Sequence, residues 1–482
     1  MALLFLILTP IIAAVASTLV RKKTLPLEII AAIAAPIELI STIKIIHEVF
    51  LNKSYVFGSY FVIDSLGTIV LLTVATIGFA AGFYSIGYLR QEVKKEIIGF
   101  HRVREYYILF HLFLAAMFSA IATTSPIIMW IAIEATTLAT AFLISFYNKA
   151  SAMEAAWKYL IINSIGLLLG FFGTLLFLHP KVNLAADGFV SWSTLVNNAS
   201  LVNPLLVKIA FIFVLIGYGT KAGLAPMHTW LPDAHSKAPA PISALLSGAL
   251  LNVALMAILK FRNITDSVVE VSFSHNLMIF FGVISIAIPA FIIIVQKNYK
   301  RLFAYSSIEH MGIMVLGFGF GGIGTFAALL HMVYHSLTKS ILFFSAGNIF
   351  LKYSSTKIFN IKGMLTSLPI TGVVLFLGFL AIIGMPPFGI FMTEFYILSA
   401  GIKNYPIIVA VVIFLLILIF IGFLRHIINM TLSEKEEQTP IGESNFLTVA
   451  PALFLLILFI IISFFLPEPI KEILNSAAAL IN

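Results

Sequence analysis

The chain has 482 residues, 60% hydrophobic and only 10% charged, with a formal net charge of +8 and no cysteine. Soluble globular chains are about 25% charged, so this composition excludes a soluble class, and the lack of cysteine excludes disulfides and thiolate-ligated iron–sulfur clusters within the chain. Apolar stretches of about 20 residues recur from end to end, which predicts an all-α polytopic membrane protein.

The first stretch, MALLFLILTPIIAAVASTLVRKK, is apolar from its first residue and has no basic segment ahead of it, so it reads as a first span rather than a cleaved signal. About fourteen spans follow from the length criterion. They fall near 1–20, 26–50, 58–89, 106–123, 126–147, 155–178, 205–228, 240–261, 276–296, 302–320, 323–350, 367–399, 405–428 and 446–467. Eighteen of the 29 basic residues fall in odd-numbered connections, among them Arg21, Arg90, Lys300 and Lys435. Six fall in even connections and the tail, among them Lys181, Lys260 and Arg262, and five lie within spans. The positive-inside rule turns this bias into an even span count with both termini outside, and it explains the basic surplus better than nucleic-acid binding does.

Spans seven and twelve are long and interrupted. GYGTKAGLAPMHTWLPDAH breaks at Pro226, and AIIGMPPFGIFMTEFYIL breaks at Pro386 and Pro387. They are five spans apart, and broken helices in matching positions of two halves point to an ion or substrate path. The expected organisation is three N-terminal helices over 1–105, a five-helix repeat over 106–261, a second and inverted repeat over 276–430, and span fourteen with a tail over 431–482.

Charges inside the spans mark the path. A charged side chain at mid-bilayer costs roughly 2.5–3.5 kcal/mol on insertion scales. Glu134, Lys221, Lys339 and Glu394 each sit where a neutral residue would fold equally well. His331, His335 and Lys339 follow one another at four-residue spacing and share a helical face. Glu309 and His310 lie in RLFAYSSIEHMG. Blander roles compete. A lone intramembrane histidine such as His310 commonly bonds a neighbouring helix, and Lys158 and Lys208 near span ends can snorkel. His228 and His235, flanking TWLPDA, are expected near the aqueous side. The two histidines four residues apart have a metal-ligand spacing, but without HExxH or a third nearby ligand no metal is expected. A lysine and a carboxylate that pair and separate form a proton switch, and histidine can pass the proton onward.

GYGTKAGLAPMHTWLPDAHSKAPAPISALLSG, YKRLFAYSSIEHMG, HMVYHSLTKSILFFSAGNI and GMPPFGIFMTE, in this order, resemble the signatures of the antiporter-like subunits shared by respiratory complex I, Mrp cation/proton antiporters and energy-converting hydrogenases. The resemblance covers roughly residues 60–430. It implies fourteen core helices, two inverted repeats, and proton translocation without a catalytic centre or cofactor in this subunit. Carried over, Glu134 and Lys221 form the first-half pair, Lys339 and the histidines belong to the connecting centre and second half, and Glu394 is the terminal titratable residue. Asn252 stands where the eighth span usually has a lysine or histidine, so the central link would need water or the span-eleven histidines. Glu309 beside His310, and ATAFLISFYNKASAMEAAWKY, look most like the F subunit of hydrogenase-4 and membrane-bound hydrogenases. The resemblance implies partners in a multi-subunit redox complex of a prokaryotic cytoplasmic membrane, including related antiporter-like subunits, with H⁺ or Na⁺ as the ion. Complex I, an Mrp-type antiporter, a stand-alone secondary transporter and an assembly subunit with vestigial ion sites are the alternatives.

Overall fold

The computed structural model describes residues 1–178, 190–434 and 440–481, so Lys181 and Lys435 lie outside the described residues. In chain order the helices begin with α1 (Ala2–Leu19) and α2 (Leu25–Asn52). A short antiparallel hairpin, β1 (Ser54–Phe57) and β2 (Phe61–Asp64), then leads into α3 (Ser65–Lys94). There follow α4 (Phe100–Ala122), α5 (Pro126–Ile144), α6 (Ala150–Phe177), the short α7 (Trp192–Asn197), α8 (Pro204–Ala222), α9 (Trp230–Lys237) and α10 (Ala240–Leu245). A π-helical turn, Leu246–Leu250, joins α10 to α11 (Leu251–Asp266). The remainder is α12 (Val271–Ile294), α13 (Tyr299–Phe320), α14 (Ile323–Tyr353), the short α15 (Met364–Ser367), α16 (Pro369–Ile382), α17 (Gly389–Ile402), α18 (Pro406–Thr431), α19 (Ala450–Phe464) and α20 (Glu468–Ile481).

The chain is thus an all-α polytopic membrane protein. Among the described residues, eleven helical stretches are long and apolar enough to cross a membrane, with α8 and α9 forming one of them. The broken pair α16 and α17 and the buried helices α13 and α14 occupy the three other expected span positions. Helices α13 and α14 are buried along almost their whole length. The outer helices instead present large apolar side chains such as Ile407, Phe414 and Ile457 outward. Polar residues are therefore concentrated at the centre, where protein rather than lipid surrounds them.

Three expectations need correction. Residues 58–64, read as the start of span three, form the turn and second strand of the hairpin. Asp64 ends it by capping α3, its Oδ1 accepting the Gly67 N–H at 2.7 Å. The segment after span fourteen is not a plain tail. It folds into α20, which buries Ile473, Leu474 and Ala477 and packs on α3 and α14. Several basic residues assigned to connections sit within helices, including Arg90 in α3, Arg262 in α11 and Arg425 in α18. Arg90 pairs with the buried Glu28 of α2 at 2.6 Å.

Close helix contact positions the first charged site. Gly217 of α8 lies so near Gly170 of α6 that a Cβ on Gly217 would stand 2.2 Å from the Gly170 nitrogen. Small residues let the two backbones meet. This fixes Lys221, one turn beyond Gly217, against the side chains of α6 and α5.

Candidate functional site: a buried line of titratable groups

Both expected helix breaks are present, and each leaves carbonyls that need donors. Helix α8 ends at Gly223 in the left-handed region (φ 75°), with the Leu224 N–H donating to Gly219 O at 2.8 Å. The Trp230 indole N–H donates to Thr220 O at 2.8 Å. The Ser285 hydroxyl accepts the Ala225 N–H at 2.9 Å. At the second break, His310 Nε2 lies 3.0 Å from Ile382 O. The Ala225–Pro226 and Pro386–Pro387 peptide bonds are cis.

Lys221 is fully buried, with its Nζ donating to Thr137 Oγ1 at 2.8 Å and Tyr159 Oη at 2.7 Å. The Thr137 hydroxyl in turn reaches Glu134 Oε2 at 3.2 Å, and Ser164 Oγ donates to Glu134 Oε1 at 2.7 Å. Glu134 and Lys221 are therefore linked through one hydroxyl rather than by direct contact. Tyr159 is held by Thr140 at 2.5 Å and packs edge-on against Trp230. Sequence reading missed Thr137, Tyr159 and Ser164. The signal was available in the ATTLAT run after Glu134, where Thr137 lies three residues on and shares its helical face, but hydroxyls are common in membrane helices.

In the second half, Lys339 is fully buried and donates to Phe303 O at 2.9 Å and Ser306 Oγ at 2.5 Å. Glu309, buried on α13, follows Ser306 by three residues. His331 Nε2 lies 2.9 Å from His310 Nδ1, and His331 Nδ1 lies 2.8 Å from Thr393 Oγ1. The His335 ring centroid stands 5.5 Å from that of His310. His331, His335 and Lys339 thus all turn toward α13.

The chain of bonds has a direction. Ile382 O can only accept, so His310 Nε2 carries a hydrogen. With both rings neutral, His310 Nδ1 accepts from His331 Nε2–H, and His331 Nδ1 accepts from the Thr393 hydroxyl. When His310 carries a second hydrogen on Nδ1 and His331 holds its hydrogen on Nδ1 instead of Nε2, the sequence runs the other way. His310 Nδ1–H then donates to His331, His331 Nδ1–H donates to Thr393, and Thr393 turns its hydrogen to Ile390 O, 2.8 Å away. The two patterns differ in hydrogen positions alone, by one added proton and a change of tautomer at His331.

Glu394 closes it. Ligand-type atoms of His310, His331 and Glu394 all lie within 4.8 Å of one another. This set is not the His331 and His335 pair weighed from sequence, since it omits His335 and draws His310 and Glu394 from other helices. Both imidazoles are, however, already spent on each other, on Ile382 O and on Thr393. Gly384 (φ 67°) admits the carboxylate, since a Cβ there would stand 2.1 Å from Glu394 Oε2. Glu394 also borders a cleft of about 260 Å³ between α17 and α18.

Between the halves, Asn252 Nδ2 donates to Ser336 Oγ at 2.7 Å and to Gly248 O at 3.3 Å, while its Oδ1 has no protein partner among the described residues. Ser247, in the π-helical turn, bonds Ser307 at 2.7 Å. Such turns are frequent at functional sites. The buried rings of His335 and His235 likewise take no hydrogen bond from protein, nor does His228 Nδ1.

One of these residues departs from its expected place. His235, expected near the aqueous side, is fully buried and stacks on Phe343 at 4.7 Å, because α9 packs against α6 and α13. Lys158, read as snorkelling and as a possible supporting group, is about half exposed in a surface ion cluster, 2.7 Å from Glu154 and 3.6 Å from Asp233, which also pairs with Arg301, in keeping with the snorkelling reading. Lys208, read as snorkelling, lies over the Phe273 ring at 5.5 Å.

Known proteins align with this geometry. The chain is 40% identical over 356 residues to the hydrogenase-4 component F homolog of Methylacidiphilum infernorum (isolate V4), covering 73% of this chain and 75% of that protein. It is 30% identical over 414 residues to NADH-quinone oxidoreductase subunit N of Desulforudis audaxviator (strain MP104C), covering 82% and 78%. The fold is shared with a chain of the membrane-bound sulfane sulfur reductase, an archaeal respiratory membrane complex (TM-score 0.87, 23% identity, 100% and 97% of the two chains). It is also shared with a chain of the Mrp complex from Dietzia sp. DQ12-45-1b (TM-score 0.85, 18% identity, 99% and 96%). Residues 123–422, which hold both broken spans and every charged group of the buried line, match the family model described as NADH:quinone oxidoreductase/Mrp antiporter, TM, and the chain belongs to that family.

Proposed function

We propose that this chain is the proton-translocating, antiporter-like subunit of a respiratory membrane complex of the energy-converting hydrogenase type. The single observation that carries the reading is the hydroxyl-bridged unit Lys221–Thr137–Glu134 at the first helix break. A lysine held by neutral hydroxyls, with a carboxylate one hydroxyl away, has two positions. Near Glu134 its charge is favoured, and away from it burial favours release of the proton. Released protons pass by way of the centre around Asn252 and His335 to Lys339, then along His310 and His331 to Glu394. Moving one charge against 100 mV needs roughly 2.3 kcal/mol, so the driving event lies in a partner subunit where electrons are transferred. This subunit contributes no catalytic group and no cofactor.

In this reading α4–α11 and α12–α18 are two repeats inserted in opposite senses, related through their broken helices, with both termini on the outer face of a prokaryotic cytoplasmic membrane. Glu134 is half-buried on α5 beside the outward-facing Ile131 and Leu138, where a neighbouring membrane subunit can sense its charge. The match to a hydrogenase-4 component F homolog supports the hydrogenase type. Complex I and Mrp-type assemblies are the alternatives, and the ion is H⁺, with Na⁺ second.

The test is Lys221→Ala in the intact complex, with ion uptake into vesicles driven by the redox reaction. We expect uptake to fall about tenfold or more, the equivalent of ~1.4 kcal/mol in a barrier, with the complex fully assembled. Normal uptake by the assembled variant would overturn the carrier role.

A further inference from the structure

A second group of buried polar side chains lies apart from the line above, toward the face that carries Lys95, Lys149, Lys237 and Lys352. On α3, Tyr84, Tyr88 and Glu92 follow at four-residue spacing and so form one stripe running inward from the helix end. Glu92 is fully buried. Its Oε1 accepts the Tyr147 hydroxyl at 2.5 Å, and Tyr147 also bonds Tyr88 at 3.0 Å, while Glu92 Oε2 has no protein partner among the described residues. An acid placed this deep without a directly bonded cation is costly and needs an explanation.

Tyr147 is also a wall of a pocket of about 160 Å³ lined by Lys149, Ser151, Ser236, Lys237 and Lys300. This is room for a few waters. Lys300 forms the opposite side, its Nζ donating to Ala238 O at 3.1 Å and lying over the Phe350 ring. Ala238 ends α9, which carries His235 inward by one turn. Both His235 nitrogens are buried and, among the described residues, have no protein partner. His235 stacks on Phe343, one turn beyond Lys339 on α14. The groups that face Glu92 are Tyr84, Tyr88 and Lys95 of its own helix, Tyr106 of α4, Tyr147 of the α5–α6 connection and Lys300 of α13.

We infer that the pocket between Tyr147 and Lys300 is a proton inlet to the second half, with Glu92 as its first buried carrier and His235 as the hand-over to Lys339. The inference rests on the proton-translocation reading. A proton from pocket water passes to the Tyr147 hydroxyl as that hydroxyl gives its own to Glu92. Glu92 returns to carboxylate when the proton leaves through water toward Lys300 and His235, whose free nitrogen accepts it and whose other nitrogen releases one to Lys339. No bond other than O–H and N–H forms or breaks. The route enters from the basic-rich face and bypasses Glu134 and Lys221, so the second half can be reloaded without passing a proton through the first.

Two measurements on the intact complex test this. Because the chain has no cysteine, Ser236→Cys places a single thiol of this chain at the pocket mouth. A membrane-impermeant maleimide should label it from one face only. Labelled membranes should pump at least fivefold slower than unlabelled membranes of the same variant. Failure to label, or unchanged pumping after complete labelling, overturns the inlet. Glu92→Gln keeps the shape and the Tyr147 contact but removes the titratable group. Pumping should fall about as far, its dependence on the pH of the basic-face compartment should flatten, and Glu92→Asp should recover part of the rate. A wild-type rate and pH profile in assembled Glu92→Gln would also overturn it. If Lys221→Ala pumps normally, the translocation reading itself fails. If Lys221→Ala is inactive and both inlet variants are normal, only the inlet fails.

Discussion

The two charged centres solve the same problem differently. In the first half, Lys221 and Glu134 are separated by one threonine hydroxyl, and three further hydroxyls, of Tyr159, Thr140 and Ser164, complete the unit. In the second half, Lys339 is held by a backbone carbonyl and a serine, and two imidazoles and a threonine stand before Glu394. A single bridging hydroxyl suits a switch, because a small displacement of the lysine changes its electrostatic partner. A chain of imidazoles suits conduction, because each ring can accept at one nitrogen while releasing at the other. In the proposed function, the first half sets the state and the second carries the proton outward.

The largest expected effects separate these roles. Glu134→Gln keeps the bonds to Ser164 and Thr137 but removes the charge. It should slow pumping about tenfold and leave a residual rate, because Lys221 would be neutral more of the time. Glu394→Gln should stop net pumping altogether, since nothing beyond it in the line can release the proton. Redox-driven uptake in vesicles measures both, and retained pumping in Glu394→Gln would reduce that residue to a cap for the backbone around Pro386 and Pro387.

A smaller and sharper contrast comes from the two threonines. Thr137→Val removes the bridge and should lower pumping several-fold, on the order of ~1 kcal/mol, with Thr137→Ser close to wild type. Thr393→Val removes the partner of His331 Nδ1 at the end of the wire and should lower the rate by more than Thr137→Val, again with rescue by serine. Equal effects from both valines would erase the distinction between switch and wire.

Asn252 is neither. It can order neighbours through Ser336 but cannot hold a proton, so Asn252→Ala should cost within about twofold in rate, well under ~1 kcal/mol. Damage as large as that from Lys221→Ala would move the central link onto this residue.

The smallest effect concerns the frame. Burial alone would raise the Asp64 carboxyl, but Lys260 at 2.7 Å and the Gly67 N–H outweigh it and hold the group below the usual range. A depressed acid stabilises the fold above its unfolded-state pKa, and that contribution is lost as pH falls through the lower folded value. Asp64→Asn keeps a capping oxygen but removes the ion pair with Lys260, so it should reduce stability by about 1 kcal/mol near neutral pH, and the difference from wild type should shrink in acid. Thermal unfolding of the purified complex at two pH values checks this, and pumping should be unchanged.

Much of the architecture was legible because the bilayer imposes length and apolarity on every crossing segment. The run of apolar stretches, the two proline breaks, Lys221, Lys339, Glu134 and Glu394 could all be read directly. The hairpin over 54–64 was not, because its residues Tyr55, Val56, Phe61 and Val62 are as apolar as a span. Nor was α20, because an amphipathic helix packed along the bundle carries too little apolar length to announce itself.

Sequence by itself determined the class, the span positions, the family signatures and which residues bear an unusual charge. These follow from local chemistry, since an ionisable group or a helix breaker in an apolar run is conspicuous wherever it folds. Only the tertiary structure decided that Thr137 stands between Lys221 and Glu134, that His310 joins His331 across two helices, and that Gly384 leaves room for the Glu394 carboxylate. It also decided that His235 and Glu92 are buried while Lys158 is not. Those outcomes depend on which helix faces meet and at what height. Close contacts such as Gly217 against Gly170 set both, and a single hydroxyl 2.8 Å from a lysine is the product of packing between helices far apart in the chain.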